Sequence, residues 1–236
     1  MDLGERLVEA MESHDLFTID LFIIKIPISD TIVSMWVIMA VMIILAIILT
    51  RKLTVVPSKK QNAVEIVVEM INNMVKDAIG AHHWKAFAPY LGTIFLFLIF
   101  ANTISIFNVI PGEHFKLRPP TRNINVTVCM AIMSICVVVF AGIRYKKFSG
   151  WLKSFVEPTP VMLPFKILEL FIKPTSLALR LFGNILGAFI VMELIYMAMP
   201  AIIPAALSIY FDLFDGILQA YVFMFLTSLY IAEALE

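Results

Sequence analysis

Residues 174–192 read "PTSLALRLFGNILGAFIVM". The stretch is apolar enough for the inside of a membrane, yet Arg180 stands in its middle with no other charge between Lys173 and Glu193. A charged side chain at mid-bilayer costs about 2.5–3.5 kcal/mol on insertion scales. Arginine cannot escape that cost by losing its proton. A cation placed there is held for a reason, and the reason depends on whether the rest of the chain is equally apolar.

It is. Of 236 residues, 61% are hydrophobic and only 15% charged, and the mean hydropathy is +0.92. Soluble domains carry about a quarter charged residues, so the composition points to a membrane protein. The formal net charge is zero, which argues against a nucleic-acid partner. The sequence has no GxxxxGK(S/T) loop, GxGxxG turn or HExxH helix, so no nucleotide, cofactor or resident metal and no hydrolysis on its own residues are expected. Cys129 and Cys136 are expected to be small core residues rather than a disulfide or metal pair.

A membrane helix needs roughly 20 apolar residues to cross a core about 30 Å thick. Thr31–Thr50, Ala86–Gly112 and Asn123–Ile143 meet this and contain no Asp, Glu, Lys or Arg. Arg51, Lys52, Lys59 and Lys60 follow the first; Arg144, Lys146, Lys147 and Lys153 follow the third. The positive-inside rule puts both basic loops in the cytoplasm and the acidic N-terminus, which lacks the basic start of a secretory signal, outside. Lys116, Arg118 and Arg122 dissent, falling on the outer side. Between the first two spans, Val64, Val67, Val68, Ile71, Val75 and Ile79 recur at helical spacing, as in an amphipathic surface helix.

The C-terminal third predicts two helical arms, from about Phe165 to Met199 and, after Pro200 and Pro204, to about Ala232. Each would be roughly 50 Å long at 1.5 Å per residue, so each must tilt steeply or break. The expected organisation is thus all-α and polytopic, with about five hydrophobic helices. It comprises an external segment 1–30, a first membrane helix 31–50, a cytoplasmic amphipathic segment 51–85, a membrane hairpin 86–143, a cytoplasmic loop 144–164 and a long tilted hairpin 165–236.

On the first arm, Ser176, Arg180, Gly183, Asn184 and Gly187 share one face, a stripe that lets another helix approach closely. On the second, Ser208, Asp212, Asp215 and Gln219 fall at helical spacing. Glu193, Asp212 and Asp215 toward the outside, with a fixed cation deeper in, describe a water-accessible ion path. Blander readings stand beside this one. Arg180 also suits a structural salt bridge with Glu169 or Asp215, the three acids a solvated crevice, Gln219 an interhelical hydrogen bond, and Lys173 an interfacial anchor.

"KPTSLALRLFGN" (Lys173–Asn184) and "LQAYVFMFLTSLYIA" (Leu218–Ala232) resemble the two signature segments of subunit a of the F-type ATP synthase, and "RPPTRNINVT" (Arg118–Thr127) resembles that family's entry into its third crossing. The likeness runs from about Pro89 to the end and is closer to bacterial or chloroplast members. It implies that Arg180 is the family's essential arginine, Asn184 its asparagine and Gln219 the glutamine of the facing helix. It further implies two half-channels against a rotating ring of c subunits, a b-subunit stator stalk, the remainder of the F-type complex, and a bacterial plasma membrane location. The coupling ion is H⁺ or Na⁺, with transient Na⁺ as the only metal. Lys173, Ser176 and Glu169 are possible supporting residues. The sequence departs from the family at Phe189, where an acid or histidine is common nine residues after the arginine. Glu193 follows one turn later, and Asp212 stands where bacterial members have a histidine.

Two other classes compete. One is a secondary cation transporter with Arg180 as internal counter-ion, although the sequence lacks the internal repeat many transporters have. The other is a membrane scaffold, which leaves Arg180 without a purpose.

Overall fold

In the computed structural model, which describes residues 15–21, 24–51, 53–104, 119–155, 160–198, 207 and 210–235, Asp30–Thr50 forms helix α1. Only the backbone is described at 15–21, 24–27, 160, 193, 196–198, 211 and 212. Helix α1 is apolar on every side and leaves much of that surface uncovered, with Ile43 59% and Ile48 65% exposed. Such a helix is stable only against lipid or a partner helix. It is one of five described helices long and apolar enough to cross a membrane. The fold is the all-α, polytopic one expected.

Lys59–Ile79 forms α2. Its start is the Ser-x-x-Gln pattern of a capping box: Ser58 Oγ accepts the Gln61 N–H at 3.4 Å. Its end is Gly80, whose φ of +94° is open to glycine at little cost. Of the expected apolar face, Ile71 and Val75 are buried, whereas Val67 and Val68 are exposed, as are Ile66 and Met70. Trp84–Thr103 forms α3. The 3-10 turn Pro120–Arg122 leads into α4, Ile124–Ser154. Helix α4 breaks at Lys147, whose φ of 62° and ψ of 159° are non-helical. A second 3-10 turn, Pro160–Met162, opens α5, Leu163–Ala198. A π-helical turn, Tyr210–Asp215, runs into α6, Gly216–Leu235.

Helix α5, at 36 residues, has the overlong span expected, about 54 Å at 1.5 Å per residue. It continues through Pro174, although proline there withholds the N–H that Leu170 would accept.

Several details differ from expectation. Part of the N-terminal segment forms an antiparallel hairpin of β1 (Asp15–Leu21) and β2 (Ile24–Ser29). Its alternation was obscured because Pro27 breaks the propensity pattern, yet proline is tolerated where each strand is an edge. Residues 144–154 are helical rather than a loop, since lysine and arginine are good helix formers. The described part of the second arm is six π-helical plus twenty α-helical residues, and residues 199–206 and 208–209 before it lie outside the described residues. Cys129 and Cys136 are exposed on α4, because that helix turns its serines and alanines inward instead (Ala131, Ser134, Ala141).

The described chain forms two compact units. The first comprises 1–54, 96–126 and 182–220. Its apolar centre is Ile38 of α1 with Ala101 and Ile104, flanked by Met42, Phe97 and Phe100. The second comprises 55–95, 127–181 and 221–236. Here Gly92 lets α2 and α3 approach, since a β-carbon at that position would stand 3.4 Å from Ile71 Cγ2. Leu91, Val75, Phe223 and Ile231 are among its fully buried side chains.

Candidate functional site

Within the first unit, polar side chains converge where α5 faces the start of α6. The Asn184 amide donates to Asp215 Oδ1 at 3.0 Å and to Gln219 Oε1 at 3.3 Å. Gln219 is 4% exposed, and among the described residues its Nε2 has no hydrogen-bond partner. Asp215 closes the π-helical turn, and Gln219 lies one α-turn further on. An i→i+5 turn spaces side chains differently from an α-turn, and such turns recur at functional sites. The α-helical spacing assumed for Asp212 and Asp215 therefore does not hold across it.

A second network in the same unit fixes that helix start. Asn102 of α3 donates through Nδ2 to the Gly216 carbonyl at 3.1 Å, and Thr121 Oγ1 donates to Asn102 Oδ1 at 2.8 Å. A β-carbon at Gly216 would stand 2.9 Å from Asn102 Cβ, so glycine permits the approach that the bond requires. Asn102 and Thr121 are both buried. Sequence reasoning missed them. The signal was Asn102 itself, a lone amide ending the apolar run "LFLIFANT", which must find partners once buried.

The dissenting cation Arg122 also belongs to this unit. Its guanidinium carbon lies 3.8 Å from the ring centroid of Phe189, the position where the sequence departs from the resembled family. Lys116, Arg118 and Ser208 lie outside the described residues, as do the side chains of Glu193 and Asp212.

Arg180 lies in the second unit, on the stretch of α5 where Pro174 and the small residues fall. It is exposed. With Phe171, Ile172, Thr175, Ser176 and Leu179 it lines an open groove of about 590 Å³. Among the described residues it forms no salt bridge. The two acids considered as structural partners are engaged elsewhere. Glu169 lies 3.4 Å from Lys173, and Asp215 accepts from Asn184. Gly183 and Gly187, on the next turns, face open space, with nothing within 4 Å of an added β-carbon. Among the described residues, no packed element uses the small-residue stripe at those two positions.

Lys173 is more than an interfacial anchor. It donates to Glu233 at 2.7 Å, pairs with Glu169, and sits 5.3 Å from the Tyr230 ring. This tie joins α5 to α6 in the second unit. Beside it is a crevice of about 350 Å³ that Lys146, Lys166 and Trp151 also line.

The first unit offers an amide bound to a carboxylate and to a second amide, and the second offers a permanent cation facing outward. Among the described residues, no group of three His, Cys, Asp or Glu is able to hold a metal. The family model described as "ATP synthase A chain" matches residues 32–232. The chain is 35% identical over 215 residues to "ATP synthase subunit a, sodium ion specific" of Propionigenium modestum, covering 87% of this chain and 73% of that protein. It is 37% identical over 212 residues to "ATP synthase subunit a" of Gloeobacter violaceus (strain ATCC 29082 / PCC 7421), covering 88% and 84%.

Proposed function

The chain belongs to the ATP synthase A chain family, and on that premise we propose that it is the ion-translocating stator subunit a of a rotary F-type ATP synthase. It is a multi-pass membrane subunit rather than a catalytic one. It forms two half-channels against a c-subunit ring, with a b-subunit stalk holding it fixed against the rest of the complex. It lies in a bacterial plasma membrane with the N-terminus outside and the C-terminus in the cytoplasm.

The single observation that carries this reading is Arg180: exposed, without an acidic partner among the described residues, on a membrane-length helix whose next turns present bare glycine. A counter-charge from outside the chain fits this arrangement. A carboxylate on a neighbouring ring helix meets that need, and Gly183 and Gly187 leave room for such a helix to approach.

The membrane potential supplies about 2.3 kcal/mol per charge per 100 mV, provided ions cannot leak straight through. Ions enter from outside past Glu193, Asp212 and Asp215 and load a carboxylate on the ring. Asn184, which also donates to Gln219, holds Asp215 in place on the way. After nearly a full turn the ions leave through a cytoplasmic path. Arg180 separates the paths, drawing the ionised ring carboxylate and repelling a cation that would cross directly.

The coupling ion is H⁺ or Na⁺. A relative named as sodium ion specific and an acid set without histidine are compatible with Na⁺, and stimulation of ATP hydrolysis by Na⁺ at fixed pH distinguishes the two. The alternative, a secondary cation transporter using Arg180 as internal counter-ion, fits poorly with an arginine that faces outward.

Gentle detergent purification tests the assignment. A soluble ATPase head and a small-subunit ring should accompany the chain in stoichiometric amount. Purification of a stable complex lacking both, with ion transport intact, contradicts it.

A further inference from the structure

Three uncharged stretches, 123–143, 174–192 and 216–232, each have charged residues at one end that the fold brings together. Lys146 lies just beyond the first, Lys173 immediately precedes the second, and Glu233 immediately follows the third. All three line one crevice of about 350 Å³ within the second unit. Charged residues that flank membrane-length apolar runs mark the boundary between hydrocarbon and water, so the crevice opens at that boundary.

Its lining is divided in the same way. Ile135, Val138 and Leu170 supply a hydrocarbon wall, and Lys146, Lys166 and Lys173 supply ammonium groups. Trp151 and Tyr230 also line it, and these are the side chains that favour headgroup depth. The indole is seated. A β-carbon at Gly142 would stand 2.7 Å from Trp151 Cδ1, so glycine there lets Trp151 lie against α4. Phe155 meets Trp151 edge-on, with ring centroids 4.7 Å apart. Lys166 donates to the Ser154 carbonyl, which ties the end of α4 to the first turns of α5.

We propose that this crevice holds the phosphodiester headgroup of one anionic phospholipid, with the hydrocarbon wall facing the start of its acyl chains. This rests on the membrane placement in the proposed function and not on its ion path. Among the described lining residues three lysines face two carboxylates, Glu169 and Glu233, so the crevice is net positive. Lys173 already answers both carboxylates, and Lys166 bonds a neutral carbonyl and keeps its charge. An ammonium has three N–H donors, so each lysine can bond a phosphate oxygen without surrendering the partner it has. Basic pockets between membrane helices suit anionic headgroups for this reason. A free phosphate would leave the wall of Ile135, Val138 and Leu170 bare, which favours a lipid as the source of the anion.

The test uses the whole complex in phosphatidylcholine vesicles that contain a fixed fraction of brominated lipid, either phosphatidylglycerol or phosphatidylcholine. Bromine near the glycerol quenches tryptophan fluorescence on contact, and the Trp151 part is the difference between wild type and Trp151→Phe. Phosphatidylglycerol should be enriched at Trp151 over phosphatidylcholine by about five-fold or more, and Lys146→Gln should lower that enrichment by about three- to five-fold. Lys146→Arg, which keeps the charge, should retain it. Inorganic phosphate in excess, against chloride at equal ionic strength, should leave it in place.

Equal quenching by the two lipids at wild-type Trp151 overturns the proposal, and this comparison decides alone if Lys146→Gln does not assemble. An unchanged enrichment in an assembled Lys146→Gln complex also overturns it. Loss of the enrichment in inorganic phosphate makes a soluble anion the ligand and overturns the lipid assignment. None of these results touches the Arg180 reading. Conversely, a complex purified without an ATPase head or ring removes the proposed function and leaves the lipid enrichment as it was.

Discussion

Asn184 Nδ2 stands 3.0 Å from Asp215 Oδ1, so an amide on α5 holds a carboxylate presented by the π-helical turn before α6. The same nitrogen reaches Gln219. One side chain thereby fixes an acid and an amide that lie on successive turns of the facing segment. Side-chain hydrogen bonds to a charged acceptor contribute about 1.5–3 kcal/mol, enough to favour one position of the carboxylate over many.

Asn184→Leu keeps the side-chain size and removes both bonds. ATP synthesis by the assembled complex should fall by at least about ten-fold, the rate equivalent of ~1.4 kcal/mol, while subunit assembly on native gels is preserved. Wild-type synthesis in this variant shows that the Asn184 bonds do not organise the path.

Glycines at different places should respond differently. Gly216→Ala puts a methyl 2.9 Å from Asn102 Cβ, and overpacking of this kind costs about 1–3 kcal/mol. A lower thermal dissociation midpoint for the complex should follow. Among the described residues Gly183 has nothing within 4 Å, so Gly183→Leu should leave that midpoint within the change expected of about ±0.5 kcal/mol, yet on the proposed function it should suppress coupled pumping by filling the surface assigned to the ring. Normal pumping in Gly183→Leu means that no helix approaches there.

Much of this fold was legible because hydropathy reports membrane helices directly. Residues 31–50 have no charge to confuse the reading, and α1 occupies nearly that interval. Helix α5 was legible as overlong because its length exceeds a bilayer. The candidate site was only partly legible. Arg180 announced itself as a lone charge, and Asn184 and Gln219 came with it through helical spacing and resemblance. The Asn102–Gly216–Thr121 network was hidden because it joins residues more than a hundred positions apart, and no periodicity reports such a contact. Arg122 and Phe189 were each noticed separately, one as a charge on the wrong side and the other as a departure from the family. Only the fold brings them together.

The tie between Lys173 and Glu233 is partly open to solvent, the two side chains being 19% and 55% exposed. Exposed pairs contribute little, about 0–1 kcal/mol. Glu233→Gln should therefore shift the thermal midpoint of the complex by no more than a few degrees. A collapse of assembly contradicts that assessment and gives the pair a larger role.

Lys147 breaks α4 with φ 62° and ψ 159°, a region that is essentially glycine's own and costs other residues about 1–3 kcal/mol. Lys147→Gly should relieve that cost and raise the midpoint, whereas Lys147→Ala should not. If both variants behave like wild type, the break in the helix is held without strain.

The central claim is that Arg180 answers a charge that lies outside this chain and thereby keeps the two ion paths apart. ATP-driven ion pumping by the Arg180→Ala complex in sealed vesicles tests it most directly, with ATP hydrolysis measured alongside to show that the soluble head is intact. The account predicts no coupled pumping with the complex assembled, and passive ion leak across the vesicle membrane is compatible with it. Ion pumping at the wild-type rate in that variant contradicts it.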